Sequence, residues 1–150
     1  MRFRRPTRAA ATTVEAAIIY PVVFLFLIGL LIGAQGIFVY QQTAHLARVA
    51  ARYASVHGTQ WARDTGNTAA TPQDIYNNAI LPQVAGLDPS RLTYSVTYNT
   101  SNQPCTPSIV NGDVVSTRNT VSVTVSYQWQ PLAYFTQGTL SSTSVMPMMN

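Results

Sequence analysis

An uncharged apolar stretch near the N-terminus constrains this chain more than any other feature. Residues 16–40 form a run of 25 positions without a charged side chain, and Leu, Ile, Val or Phe occupies fifteen of them. About 20 such residues span a bilayer as a helix. On the insertion scale these fifteen side chains favour the membrane by about 5 to 9 kcal/mol, whereas Pro21, Gln35 and three glycines oppose insertion without adding a charge. The sequence therefore predicts one transmembrane helix, with a spanning part at about residues 16–40.

Two other kinds of segment share part of this composition. A cleaved secretory signal has an apolar core of only about 7–15 residues, followed by small residues at the cut. Ala34-Gln35-Gly36 imitates such a site, but the apolar run before it is too long. The core helix of a soluble domain would carry a polar face, which this stretch lacks. Both alternatives therefore fit less well than a membrane span.

The basic residues indicate how this helix is oriented. Only 9% of the residues are charged, against about 25% in ordinary soluble domains. Four of the nine basic residues precede the apolar stretch with no acid among them: Arg2, Arg4, Arg5 and Arg8. Such a segment stays in the cytoplasm, so we expect a bacterial inner-membrane protein whose C-terminal domain is extracytoplasmic. Because this cluster does not lie on a folded face, the pI of 9.6 does not predict nucleic acid as a partner.

The helix is expected to continue beyond the membrane. Residues 41–56 contain neither Pro nor Gly, and their apolar positions recur at the spacing of an amphipathic helix. Gly58 fits a C-cap at its end. We therefore predict one helix over residues 11–57, preceded by a basic leader at residues 1–10.

The remaining residues, 58–150, are predicted to form a small α+β domain. Two segments alternate apolar and polar side chains, which is typical of half-buried strands. The predicted elements are a loop at 59–71, a helix at 72–85 with Thr71 as N-cap, strands at 92–98 and 120–129, a hairpin turn at Asn111-Gly112, and a polar edge strand at 139–146. The expected fold is α+β: a long transmembrane and amphipathic helix, packed by one short helix and an antiparallel sheet of about three strands.

Residues that carry enzymatic chemistry are few and scattered. His45 and His57 lie twelve positions apart on one helix, too far for a shared metal ion or a proton relay. No phosphate loop, paired cysteines or serine elbow occurs. We therefore predict no enzyme, no catalytic residue, no metal or other cofactor, and no small-molecule substrate. The single cysteine, Cys105, cannot form an intramolecular disulfide, so it is either a thiol without a role or a bridge between chains.

Small residues mark one possible contact surface on the membrane helix. Gly29 and Gly33 form a G-x-x-x-G pair, and Gly36 extends it. Such residues let another helix approach closely within lipid. We therefore predict helix packing at these three glycines.

Several motifs in order resemble one known family. Arg8-Ala9-Ala10-Ala11-Thr12-Thr13-Val14-Glu15-Ala16-Ala17 precedes Pro21, and Ala47-Arg48-Val49-Ala50-Ala51-Arg52-Tyr53-Ala54 follows the apolar stretch. Together they resemble the TadE-like family, the minor pilins or pseudopilins of the tight-adherence pilus. The resemblance covers residues 5–57 well and continues loosely at 121–127 and at 131–132, which look like the family's closing strand and turn. Ala10 stands where the family commonly has Gly, and Ala16 where a bulky residue often follows the glutamate.

The resemblance implies a role for the start of the helix. It places the prepilin peptidase cut between Ala10 and Ala11, and it makes Glu15, the fifth residue of the mature chain, a partner for the N-terminal amine of a neighbouring subunit. From the residues alone, Thr12 and Glu15 also fit a capping box. Both roles can hold at once.

Two functions follow as expectations. The first is a TadE-like minor pilin or pilus assembly subunit in adhesion pilus biogenesis, whose partners are the membrane, other pilins or pilus assembly proteins, and prepilin peptidase. The second is a single-pass, membrane-tethered extracytoplasmic binding module unrelated to pili. A pilin needs the leader, the glutamate and the cut, whereas a tethered module needs only an apolar anchor.

Overall fold

The longest element of the fold is a single helix, α1, at Thr7–Val56. The computed structural model describes residues 7–99, 102, 108–110, 113–115, 119–131 and 137–148. Within these, α1 extends away from the domain over its first half and forms part of the domain core over its second half. The predicted α+β fold is confirmed.

The beginning of α1 differs from the prediction. The helix starts at Thr7, so Thr12 is not an N-cap, and Glu15 lies about two turns inside the helix. The capping-box prediction is therefore wrong for the intact chain. The physical reason is local propensity, because Arg8 and the three alanines after it are strong helix formers and contain no stop signal.

The end of α1 also differs from the prediction. The helix stops at Val56, and Gly58 has an extended backbone (φ −79°, ψ −170°) rather than the left-handed geometry of a C-cap. Gly58 is instead the N-cap of α2, at Thr59–Thr65, in a segment predicted to be a loop. Helix α2 ends at Gly66, whose φ of 72° is left-handed. The loop prediction failed because it relied on polarity, whereas Thr59 to Thr65 contains no helix breaker.

The second predicted helix is present but irregular. It consists of α3 at Pro72–Ile75, a π-helical turn at Tyr76–Ile80 and a 3₁₀ turn at Leu81–Gln83. Pro82 lacks an N–H and its ring disfavours a regular α-turn before it, which accounts for the change of pitch.

The predicted cap of this helix is confirmed. The Asp74 N–H donates to the Thr71 hydroxyl at 3.2 Å, and the Thr71 N–H donates to the Asp74 carboxylate at 3.0 Å. The left-handed residue that follows the helical run is Gly86, with a φ of 72°.

The sheet confirms the predicted strands. The strands are β1 Leu92–Tyr98, β2 Ser108–Val110, β3 Asp113–Val115, β4 Thr120–Trp129 and β5 Gly138–Pro147. The main sheet is antiparallel and has the order β1-β4-β5. A separate two-stranded ladder, β2–β3, pairs Val110 with Asp113; the predicted turn residues Asn111 and Gly112 lie outside the described residues.

The core lies between one face of the main sheet and the second half of α1. Small side chains line both surfaces, since alanines of α1 face the sheet and Ser142 and Ser144 of β5 share their face with the valines of β4. This allows a close approach at the middle of β5, whereas Leu140 and Met146 on the same face of β5 add apolar packing nearer its ends. The fully buried core residues of α1, the helical run after Thr71 and β4 are Leu46, Ala47, Ala50, Ala51, Ala54, Ile75, Ile80, Val121, Val123 and Val125.

Candidate membrane and helix-docking surface

The first half of α1 is apolar on every side and uncovered. The large hydrophobic side chains between Val14 and Leu31 are 45% to 71% exposed. Within Thr12–Val56, the most apolar window has a mean hydropathy of 2.6, and none of its residues is buried. The helix is thus long and apolar enough to cross a membrane. A contiguous apolar surface of this kind marks contact with lipid or with another protein.

The domain begins to cover α1 near Gly36. A Cβ placed on Gly36 would lie 3.4 Å from the indole ring of Trp129, and Val39 is only 5% exposed. The apolar segment before this contact, residues 16–34, is about 28 Å long at 1.5 Å per residue, close to the roughly 30 Å of a hydrocarbon core. Residues 35–40, the end of the predicted span, lie beside the domain.

The three glycines predicted to pack against another helix have different surroundings. Nothing lies within 4 Å of a Cβ placed on Gly29 or Gly33. Gly36, by contrast, contacts Trp129 of the same chain. Among the described residues, only the first two therefore remain open to a second helix.

The open glycines continue the face of α1 that the sheet covers. At 100° per residue, Glu15, Gly29 and Gly33 fall within about 40° of one another. The buried Ala47 and Ala51 lie in the same angular range. A helix that packs against Gly29 and Gly33 would therefore lie directly below the domain, on its membrane side.

The predicted processing and register residues lie near the start of α1. The backbones of Ala10 and Ala11 are helical, and Glu15 is exposed one to two turns later. The first turn of α1 contains no acidic residue. A cut between Ala10 and Ala11 would bring Glu15 into the new N-terminal region, where a helix dipole favours negative charge.

Two of the four described acids outside α1, Asp74 and Asp88, take part in helix caps. The side-chain and backbone hydrogen bonds of Thr71 lower the pKa of Asp74 from its ordinary value of 3.8. Hydrogen bonds from Ser90 lower the pKa of Asp88 in the same way. Burial raises the pKa of Tyr98, whose buried hydroxyl has no hydrogen-bond partner within the described part of the chain.

The histidines do not come together. His45 is exposed, whereas His57 stacks on Tyr53 at 4.0 Å between ring centroids and meets the edge of Trp61 at 4.8 Å. A ring N–H of His57 donates to the Tyr53 carbonyl at 3.0 Å. In the part of the chain that the structure describes, no three His, Cys, Asp or Glu residues form a metal-binding group. Cys105 lies outside that part.

The sequence missed the contact that ends the uncovered helix. Alternation along β4 placed Trp129 on the sheet's inner face, but no local signal pairs it with Gly36, some ninety residues earlier. The exposed Phe38 and Tyr40 lie close by on α1. Aromatic residues at this level are typical of a membrane–water interface.

The comparisons with known proteins point to the same helix. Residues 10–52 match the model of a family described as TadE-like protein, the family that the sequence resembles. The match spans the uncovered half of α1 and ends four residues before the helix does. No curated protein and no solved structure matches this chain.

Proposed function

We propose that this chain is a TadE-like minor pilin or pilus assembly subunit, anchored in the membrane and without enzymatic activity, that acts in adhesion pilus biogenesis. One observation carries the proposal. The uncovered, membrane-length part of α1 lies wholly within the segment that matches the TadE-like family, residues 10–52. In this proposal the helix contacts the membrane and the other subunits, and the domain lies at its end outside the cytoplasm.

The orientation is the first point to test. The basic leader stays in the cytoplasm of the inner membrane, and the domain is extracytoplasmic. A reporter that is active only outside the cytoplasm, fused after Asn150, should be active. Activity from a cytoplasm-dependent reporter at the same site, with no activity from the first, would reverse the orientation.

The placement of the open glycines supports an assembly of staggered subunits. A parallel copy at the same depth, packed against Gly29 and Gly33, would run its own second half into this chain's sheet. Its helix must therefore be displaced along the axis. A displaced, head-to-tail contact does not close on itself and so generates an open filament, as the proposed pilus role requires.

Leader removal separates the proposed pilin from a simple anchor. Cleavage between Ala10 and Ala11 removes four of the nine arginines, which leaves five arginines and five acids and a formally neutral product. Intact-mass measurement of the protein from its native host, with and without prepilin peptidase, tests this. A chain that begins at Met1 in both strains would favour the membrane-tethered binding module.

The proposed role of Glu15 requires its charge. After cleavage it pairs with the amine at Ala11 of a neighbouring subunit. Breaking such a pair on one side leaves an unpaired charge, which is strongly destabilising where water is excluded. We expect Glu15→Leu and Glu15→Gln to insert into the membrane but to lose assembly, and Glu15→Asp to retain part of it. Normal assembly of Glu15→Gln would contradict the role.

A further inference from the structure

A polar pocket lies at the end of the domain that faces the uncovered half of α1. It forms where β4 ends and β5 begins, beside the start of β1, and has a volume of about 170 Å³. Its lining includes one cation, one indole and three amides: Arg91, Trp129, Gln128, Gln130 and Gln137. No described residue of this lining is an acid.

The pocket offers hydrogen-bond donors that the fold does not use. Arg91 is 40% exposed, and its Nε lies 3.7 Å from the Asp88 carboxylate, just outside the lining. The Asp88 oxygen that accepts from Ser90 is the other one. The terminal guanidinium nitrogens have no hydrogen-bond partner among the described residues, so they remain able to bind an anion in two-pronged fashion.

The position of the pocket along α1 matches the level of lipid headgroups. Trp129 lines the pocket and also packs on Gly36. Residues 16–34 are about 28 Å long as a helix, which matches the thickness of the hydrocarbon core. Each headgroup layer beyond that core is about 5 to 8 Å thick. The pocket therefore opens into the headgroup layer that directly follows the span.

We propose that this pocket binds the phosphate of a bilayer phospholipid headgroup. The inference rests on the proposed membrane anchoring. A phosphodiester carries one negative charge and oxygens that only accept hydrogen bonds, and the pocket presents a guanidinium and amides that can donate. The bound headgroup fixes the domain against the membrane surface, with the open glycines held within the bilayer below it.

The depth of Trp129 is measured in the full chain. The protein contains two tryptophans, so Trp61→Phe leaves Trp129 alone, and Trp129→Phe leaves Trp61 as the matched control. Each variant is reconstituted in phosphatidylcholine–phosphatidylglycerol bilayers that contain lipids brominated near the headgroup. We expect strong quenching of Trp129 and none of Trp61, because α1 runs for about 30 Å from Gly36, which Trp129 contacts, to Val56, next to the His57 ring that Trp61 contacts.

The phosphate requirement is measured by lipid retention. The full chain in non-ionic detergent is mixed with dioleoylphosphatidylglycerol or with dioleoylglycerol, which lacks only the phosphoglycerol group, and bound lipid is counted by native mass spectrometry. We expect a preference for the phospholipid that Arg91→Gln reduces roughly three- to tenfold. Arg63→Gln, at the far end of the domain, should leave it unchanged. Both variants should keep the near-ultraviolet spectrum of the folded domain.

The outcomes separate this inference from the function that it rests on. If the chain resists alkaline extraction but Trp129 is not quenched, the lipid site is overturned and the membrane anchor stands. An unchanged preference in Arg91→Gln also overturns it, as does displacement by inorganic phosphate at the affinity of the phospholipid. A chain released from membranes by alkali overturns the anchoring and the lipid site together.

Discussion

The two halves of α1 belong to one helix but meet different surroundings. The first half carries large aliphatic and aromatic side chains that are 45% to 71% exposed, whereas the second half buries alanines that are 0% exposed. Size and burial are therefore inverted relative to an ordinary globular protein. Apart from Leu46, the fully buried hydrophobic side chains of α1 are alanines, because the helix and the sheet approach each other closely; large exposed side chains mark the half whose solvent we propose to be lipid.

The largest expected difference is in the effect on domain stability of replacing one leucine in each half of α1. Leu46 is 0% exposed and Leu30 is 57% exposed. We expect Leu46→Ala to lower the free energy of unfolding of the domain by about 2–5 kcal/mol, because it leaves a cavity. Leu30→Ala should change it by less than about 0.5 kcal/mol. Urea unfolding of the full chain in non-ionic detergent, followed by tryptophan fluorescence, measures both, and equal effects would contradict the comparison.

Added bulk should separate the halves in the same way. Ala50 is fully buried in the domain core, whereas Ala34 is exposed. Ala50→Leu should destabilise the domain by about 1–3 kcal/mol because the packed interface cannot absorb three more carbons. Ala34→Leu has open space around it. If both variants unfold at the same urea concentration, helix and sheet are not closely packed at Ala50.

The glycines test where the boundary between the halves lies. Gly36→Leu would push a branched side chain into Trp129, which already lies 3.4 Å from a Cβ at that position, and should destabilise the domain by about 1–2 kcal/mol. Gly33→Leu should leave the domain intact and weaken lateral association by about 1 kcal/mol. Both changes raise helix propensity equally, so their difference isolates the contact. Domain unfolding and crosslinking in membranes are the two measurements. If Gly33→Leu destabilised the domain and Gly36→Leu weakened lateral association, the boundary between the halves would lie elsewhere on α1.

The smallest expected effect is a dependence of the domain's stability on pH in the acid range. Because Thr71 lowers the pKa of Asp74 below 3.8 in the folded state, the ionised carboxylate favours folding above that value. This contribution is fully present well above pH 3.8 and is lost as the pH falls below 3.8, through the lowered pKa. Melting temperatures of the parent and of Thr71→Ala should therefore converge as pH falls over this range. A constant gap would show that the cap does not depend on the charge of Asp74.

Much of the fold can be read from local patterns in the sequence. The uncharged run gave the uncovered part of α1, because lipid compatibility is a property of consecutive residues. The alternation of apolar and polar residues predicted the bounds of β1 and β4 correctly, and Thr71 predicted the cap of the helical run that follows. In each case, the residues that decide the structure lie within a few positions of one another.

The positions where prediction failed depend on contacts between distant residues or on competition between local signals. Gly58 could have ended α1 in a left-handed turn, but it lies extended and begins α2, with the Ala70 N–H bonded back to the His57 carbonyl at 3.0 Å. Thr12 could have capped a helix, but the alanines before it continue α1 instead. Neither choice is encoded by the capping residue alone.

The sequence by itself determined that a helix of membrane length exists and that the side chains of β1 and β4 alternate between the two faces of the sheet. Only the tertiary structure decided where the domain begins to cover that helix, because the folding of β4 onto α1 is what brings Trp129 into contact with Gly36. It also decided that Gly29 and Gly33 lie below the sheet, since the rotation of α1 against the domain is set by the buried alanines. Periodicity specifies which residues share a face, but only packing specifies what that face meets.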